Sequence, residues 1–146
     1  MCLDVNLAWE LEEPLKVYKT LRLTEDGFKS PYQNAPYIIG GYYREDITDI
    51  LDHAIFTKNP DMHLIVNKGI HSWTSLRKAF MRSDDSWLIF EAEIPQGSLV
   101  IEGDDDDIVS SEIIIKPYVY KPIKFLGHIY YKKIKYSEKQ IKPFNY

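Results

Sequence analysis

From Pro14 to Thr24 apolar and polar positions alternate: Leu15, Val17, Lys19, Leu21 and Leu23 fall on one side of an extended chain, and Lys16, Tyr18, Thr20 and Arg22 on the other. That period of two predicts a strand. Glu25-Asp26-Gly27 then supplies turn chemistry, and Pro31 and Pro36 make Ser30–Pro36 a loop. Tyr37–Tyr43 resumes an extended pattern, interrupted at Gly40-Gly41, which points to a bulge or a close backbone approach. Asp46–Phe56 instead spaces Ile47, Ile50, Leu51, Ala54 and Ile55 as a helix does, with acids at its front. Met62–Val66 predicts a short strand, and Thr74 or Ser75 can cap a second helix running through Arg82. Trp87–Ile94 is the clearest strand, and Leu99–Glu102 is short and extended. Ile108–Lys116, with Ile113-Ile114-Ile115, predicts a central strand. Tyr118–Leu126 and Ile129–Tyr136 add two more, with Gly127-His128 between them. The expected fold class is therefore α+β: a single domain over residues 1–146, built on a mostly antiparallel sheet with about two helices.

Composition narrows the class without giving a function. At 146 residues, 45% hydrophobic and 27% charged, the chain has the make-up of one folded domain. No apolar run approaches the ~18 residues that cross a bilayer, and MCLDVNLAWELEEP is acidic, unlike a secretory leader. A cytoplasmic protein with no membrane partner is expected. The lone Cys2 allows no internal disulfide framework. The four histidines, His53, His63, His71 and His128, lack ligand spacing, so no metal is expected.

Charge changes the picture more. The net charge of -4 conceals a basic C-terminal stretch, in which Lys116–Tyr146 carries eight lysines against Glu138 alone. That stretch interleaves lysines with rings, and its candidate binding residues are Lys121, Lys124, Tyr130, Tyr131, Lys132, Lys133, Lys135 and Tyr136. Lysines can meet phosphates while aromatic faces stack bases, so nucleic acid is one candidate partner. The same pattern also suits a pair of strands with lysines in water and rings in the core, the lysines guarding an open edge. The stretch has no arginine, the residue that grips phosphate and base edges in bidentate fashion. Asp104, Asp105, Asp106 and Asp107 form the opposite candidate surface, which could mimic phosphates toward a basic protein. A calcium loop would alternate its ligands and add a later glutamate, which this run does not. It also reads as a solvated turn, or as a partner for the lysines of its own or a neighbouring molecule. A spare edge strand could pair two copies into a homodimer.

Two resemblances add expectations. The order Val17-Tyr18-Lys19-Thr20-Leu21-Arg22, Gly69-Ile70-His71-Ser72-Trp73-Thr74-Ser75 and Ser110-Ser111-Glu112-Ile113-Ile114-Ile115 resembles the ADP-ribosyltransferase-like fold. The likeness implies NAD as cofactor, Arg22 gripping its diphosphate or ribose, Ser72 and Thr74 supporting the nicotinamide ribose, and Glu112 stabilising the oxocarbenium-like centre. Trp73 stands inside what is Ser-Thr-Ser in that family, and Ser110 replaces the first acid of its Glu-x-Glu. Secondly, Met1-Cys2-Leu3, Ser30-Pro31-Tyr32, Gly69-Ile70-His71-Ser72 and Ile94-Pro95-Gln96-Gly97-Ser98 resemble small proteins encoded by phages and prophage-like elements. That likeness carries no activity. It implies an accessory protein in the cytoplasm of a bacterial host cell, needing no cofactor, that binds and inhibits a host defence or nucleic-acid-handling factor.

Overall fold

In the computed structural model, which describes residues 2–3, 7–31, 33–48, 64–65, 69–103 and 105–137, the chain forms strands in close succession. They are β1 (Cys2–Leu3), β2 (Leu7–Glu10), β3 (Leu15–Thr24), β4 (Gly27–Lys29), β5 (Pro36–Tyr37), β6 (Tyr42–Arg44), β7 (Leu64–Ile65), β8 (Ile70–Trp73), β9 (Leu88–Ile94), β10 (Leu99–Glu102), β11 (Asp107–Ser110), β12 (Glu112–Phe125) and β13 (His128–Lys135). The helix α1 (Leu76–Met81) stands between β8 and β9, capped where expected: the Ser75 side chain accepts from the Lys78 amide at 3.3 Å.

Every pairing among the described strands is antiparallel: β1 pairs with β7 as a separate two-stranded sheet, and the main sheet runs in the order β13-β12-β9-β3-β8-β11-β10-β2, with β4 on β3, β5 on β4 and β6 on β12. β9 lies between β3, from Leu15 opposite Ile94 to Leu21 opposite Leu88, and β12, from Ile114 opposite Glu93 to Tyr120 opposite Ile89. Only Ser111 separates β11 from β12 along the chain, although β8, β3 and β9 lie between them in the sheet, so the two ends of that path meet. The sheet is thereby rolled around its apolar face. The register slips between Ile115 and Val119, where Pro117 has no amide hydrogen to give a ladder. There β12 exchanges its first outer neighbour, β6, for β13. Gly41 must be glycine for β6 to approach: a Cβ would stand 2.9 Å from the Tyr43 ring and from the Ile38 carbonyl.

Period-two alternation puts Val17 and Leu21 of β3, Phe90, Ala92 and Ile94 of β9, and Ile113, Ile115 and Val119 of β12 into one core. Ile70, Val100 and Ile108 close it from the other strands, and Leu15 and Leu23 pack at its margin. Lys19 belongs to the same face as Val17 and Leu21, and its side chain is buried with them.

The architecture corrects the α+β expectation. The described residues are nearly all-β with one short helix. The mostly antiparallel sheet is as expected. The helix expected over Asp46–Phe56 lies largely outside the described residues. Segments without visible alternation became strands instead, β2 and β4 among them, because β10 and β3 offer them ladders. Such pairing is decided across the sheet and leaves little local trace.

Leu21 is fully buried, so Leu21→Ala should destabilise the fold by about 2–5 kcal/mol. Urea denaturation checks this, with exposed Met81→Ala as a control expected to stay within about 0.5 kcal/mol.

Candidate functional site

β9 ends at Leu88, and the last register pair of β12 with it is Tyr120–Ile89. Among the described strands, β12 is paired only with β13 from Lys121 onward, as a two-stranded ribbon in which every residue from 121 to 130 is exposed. Pro122 lacks an amide hydrogen, which suits a strand side without a partner. Leu126 and Gly127 close the ribbon with φ of 50° and 77°, the two positive values of a type I′ turn whose twist matches the strands it joins.

Opposed residues share a face of an antiparallel pair. One face of the ribbon therefore carries Lys121 opposite Lys132, Ile123 opposite Tyr130 and Phe125 opposite His128. The other carries Pro122 opposite Tyr131 and Lys124 opposite Ile129. At the tip Phe125 is 62% exposed and Leu126 81%, with Ile123, Ile129 and Tyr130 also in solvent. Lys121 and Lys132, like charges directly opposed, repel each other.

The base of the ribbon is fixed. Glu91 accepts from Tyr120 at 2.9 Å and pairs with Lys16 and Lys133, each at 3.1 Å. Burial pushes the Glu91 carboxyl up, but the hydrogen bonds from Lys133, Lys16 and Tyr120 outweigh it and hold the group below its ordinary range. Burial and the Glu91 contact raise Tyr120 to about 12. Lys133 also lies 4.4 Å from the centre of the Tyr118 ring. Tyr131 stacks on Phe80 of α1 at 4.9 Å, and Tyr136 packs edge-on against Phe28 and Phe90. Of the eight expected basic and aromatic residues, Lys121, Lys124, Tyr130, Lys132 and Lys135 face solvent, whereas Lys133, Tyr131 and Tyr136 hold the ribbon to the sheet. The alternation along the chain does not mark the apolar tip or the Glu91 hub. The FLGHIY run was the available signal for the tip.

The described members of the acidic run make contacts inside the chain. Asp105 pairs with Lys78 at 2.8 Å and Arg82 at 2.9 Å, both at α1, and these bonds hold its carboxyl below the ordinary range. The Asp106 carbonyl accepts from the Thr74 amide at 2.7 Å. Asp107 is buried, its carboxylate accepting from the Asp105 amide at 3.2 Å. Asp104 lies outside the described residues.

Of the four residues suggested for NAD chemistry, three are engaged, each with different neighbours. Arg22 donates to Asn34 at 2.7 Å. Thr74 donates to the Asp106 carbonyl at 3.1 Å. Glu112 accepts from Tyr42 and, at 3.1 Å, from Ser98. Ser72 is 2% exposed, opposite Ile108, and its hydroxyl has no hydrogen-bond partner among the described residues. No hydrogen bond or ion pair joins any two of them among the described residues. No group of three or more His, Cys, Asp or Glu is placed to hold a metal ion among those residues, and none of their helices is long and apolar enough to cross a membrane.

The most perturbed group is Lys19. Its amine donates to the His71 carbonyl at 2.5 Å and lies 5.1 Å from the centre of the Tyr37 ring. Burial lowers its pKa to about 7, against a raising pull from Glu45. Burial, followed by Glu45 and Tyr43, raises Tyr37 to about 12. The alternation along β3 had already put Lys19 on the apolar side.

Comparison with known proteins finds no matching family model, no matching curated protein and no matching solved structure.

Lys19 makes folding pH-dependent. The unfolded chain keeps its proton up to the ordinary 10.5, while the folded chain releases it near 7. Stability should therefore rise with pH across that window, at up to about 1.4 kcal/mol per pH unit. Lys19→Met should flatten the slope between pH 7 and 9 and raise stability most at the acidic end. Parallel urea titrations of the two proteins check this; equal slopes would mean that Lys19 stays charged in the fold.

Proposed function

We propose that this chain is a non-catalytic binding protein that docks its β12–β13 ribbon into an apolar pocket rimmed with carboxylates on another protein. The observation that carries it is the tip itself: Phe125, Leu126, Ile129 and Tyr130 stand in water above the directly opposed Lys121–Lys132 pair. Exposed apolar side chains ringed by charge are the usual make-up of an interface centre and its rim. The anchored base supports the same conclusion, because a pre-ordered element loses less entropy on docking. Lysines without arginine favour an acidic protein over a phosphate backbone. From the resemblance to small phage and prophage proteins, we propose that the partner is a host factor, blocked by this contact in the bacterial cytoplasm.

One observation favours nucleic acid as a second ligand: Tyr130, 55% exposed, lies beside the opposed lysines where a base could stack. Transferase chemistry with NAD has no comparable support, since Arg22, Thr74 and Glu112 are each bonded to different neighbours and no bond joins any two of the four among the described residues.

The deciding experiment compares the full chain with a short-ribbon variant, in which residues 121–132 are replaced by Asn-Gly to close the hairpin at the Tyr120–Lys133 pair. Tagged full chain should recover a stoichiometric protein from nuclease-treated bacterial lysate, and the short-ribbon variant should not. Phe125→Ala should weaken the recovered complex by about 2 kcal/mol, roughly thirtyfold. Equal recovery by both chains, or none, would sink the proposal. Recovery that nuclease abolishes would transfer it to nucleic acid.

A further inference from the structure

The long sheet ends in two strands with opposite chemistry. β13 and β2 are its outermost members, and each has a single strand neighbour among the described residues. An outer strand presents a row of backbone donors and acceptors, which is a template for pairing with another chain. The β2 edge is acidic: Glu10 is followed by Glu12 and Glu13, all exposed, and residues 1–13 contain no Lys, Arg or His. The β13 edge is basic, with Lys132, Lys133 and Lys135 and no acid between His128 and Lys135. Glu91 engages Lys133, which leaves Lys132 and Lys135 to set the charge of that edge.

Like charges directly opposed across two strands destabilise the pair, and unlike charges support it. Joining β13 to β13 would bring lysine against lysine, and joining β2 to β2 would bring glutamate against glutamate. Only the mixed pairing is attractive. Lysines that ordinarily protect an edge here repel their own kind while suiting the opposite edge of another copy. Trp9, 37% exposed on β2, adds an aromatic face of the kind that anchors interfaces.

We propose that a second copy of this chain is the occupant of these edges: β13 of one copy pairs with β2 of the next, head to tail, extending the sheet between molecules. Because the two surfaces differ, the contact is heterologous, and it builds an open row or a closed ring of copies. It uses the outer edge of β13 and does not depend on the ribbon tip having a host partner.

The test is the mass of the full chain in solution. Sedimentation velocity from about 1 μM to about 500 μM at low salt should show the weight-average mass at least doubling from 17.2 kDa, and falling back in about 0.5 M salt. K132E/K135E and E10K/E12K should each remain monomeric, with circular dichroism like that of the parent. Mixed in equal amounts, they should assemble, because each then presents an edge that the other complements. A constant 17.2 kDa mass at every concentration would overturn the proposal. So would single variants that associate as the parent does, or a mixture of folded variants that stays monomeric.

Discussion

A mismatch in strand length governs this molecule. β9 runs for seven residues and is held on both sides, while β12 runs for fourteen. Because the two are antiparallel, β12 outlives its neighbour past Tyr120, and whatever follows must leave the rolled sheet with β13 alone. The core half of β12 buries Ile113, Ile115 and Val119, while the ribbon half buries none of its residues. One strand thus serves as a wall of the core and as the stem of a projecting element. An isolated hairpin is marginally stable in water, and the Glu91 hub, the Tyr131–Phe80 stack and the Tyr136 contacts fasten this one at its base.

Charge is handled oppositely on the two sides of the sheet. Inside, Lys19 occupies a position that its neighbours Val17 and Leu21 fill with hydrocarbon, and burial strips its proton preference by lowering the pKa to about 7. Outside, Glu91 gathers two lysines and a tyrosine at the junction of sheet and ribbon. The acidic run serves α1 in the same way, with Asp105 holding Lys78 and Arg82. Exposed lysines also stand on the ribbon and on β13, and exposed glutamates at and beyond the end of β2. Arg22, Thr74 and Glu112, polar residues suited to NAD chemistry, make separate contacts of their own.

Much of the framework was legible along the chain. Strong period-two segments gave β3 and β9 close to their true limits, and Ser75 marked the start of α1. The alternation even put Lys19 with the core residues. Weak segments were not legible. Leu7–Glu10 and Gly27–Lys29 carry no pattern of their own, and they extend only because distant strands present unpaired backbone to them. The lysine- and tyrosine-rich C-terminal segment announced itself by composition, but composition could not separate Tyr130 in solvent from Tyr136 against Phe28 and Phe90.

The sequence by itself determined which residues could share a face, because the pleat repeats every two positions wherever a strand forms. It also determined the uneven distribution of charge, which is a property of order alone. Only the tertiary structure decided which strand neighboured which, where β9 stopped, and hence that ten consecutive residues from Lys121 to Tyr130 stand free of the core. Those outcomes depend on pairings between segments far apart in the chain, and a local pattern holds no record of the partner that completes it.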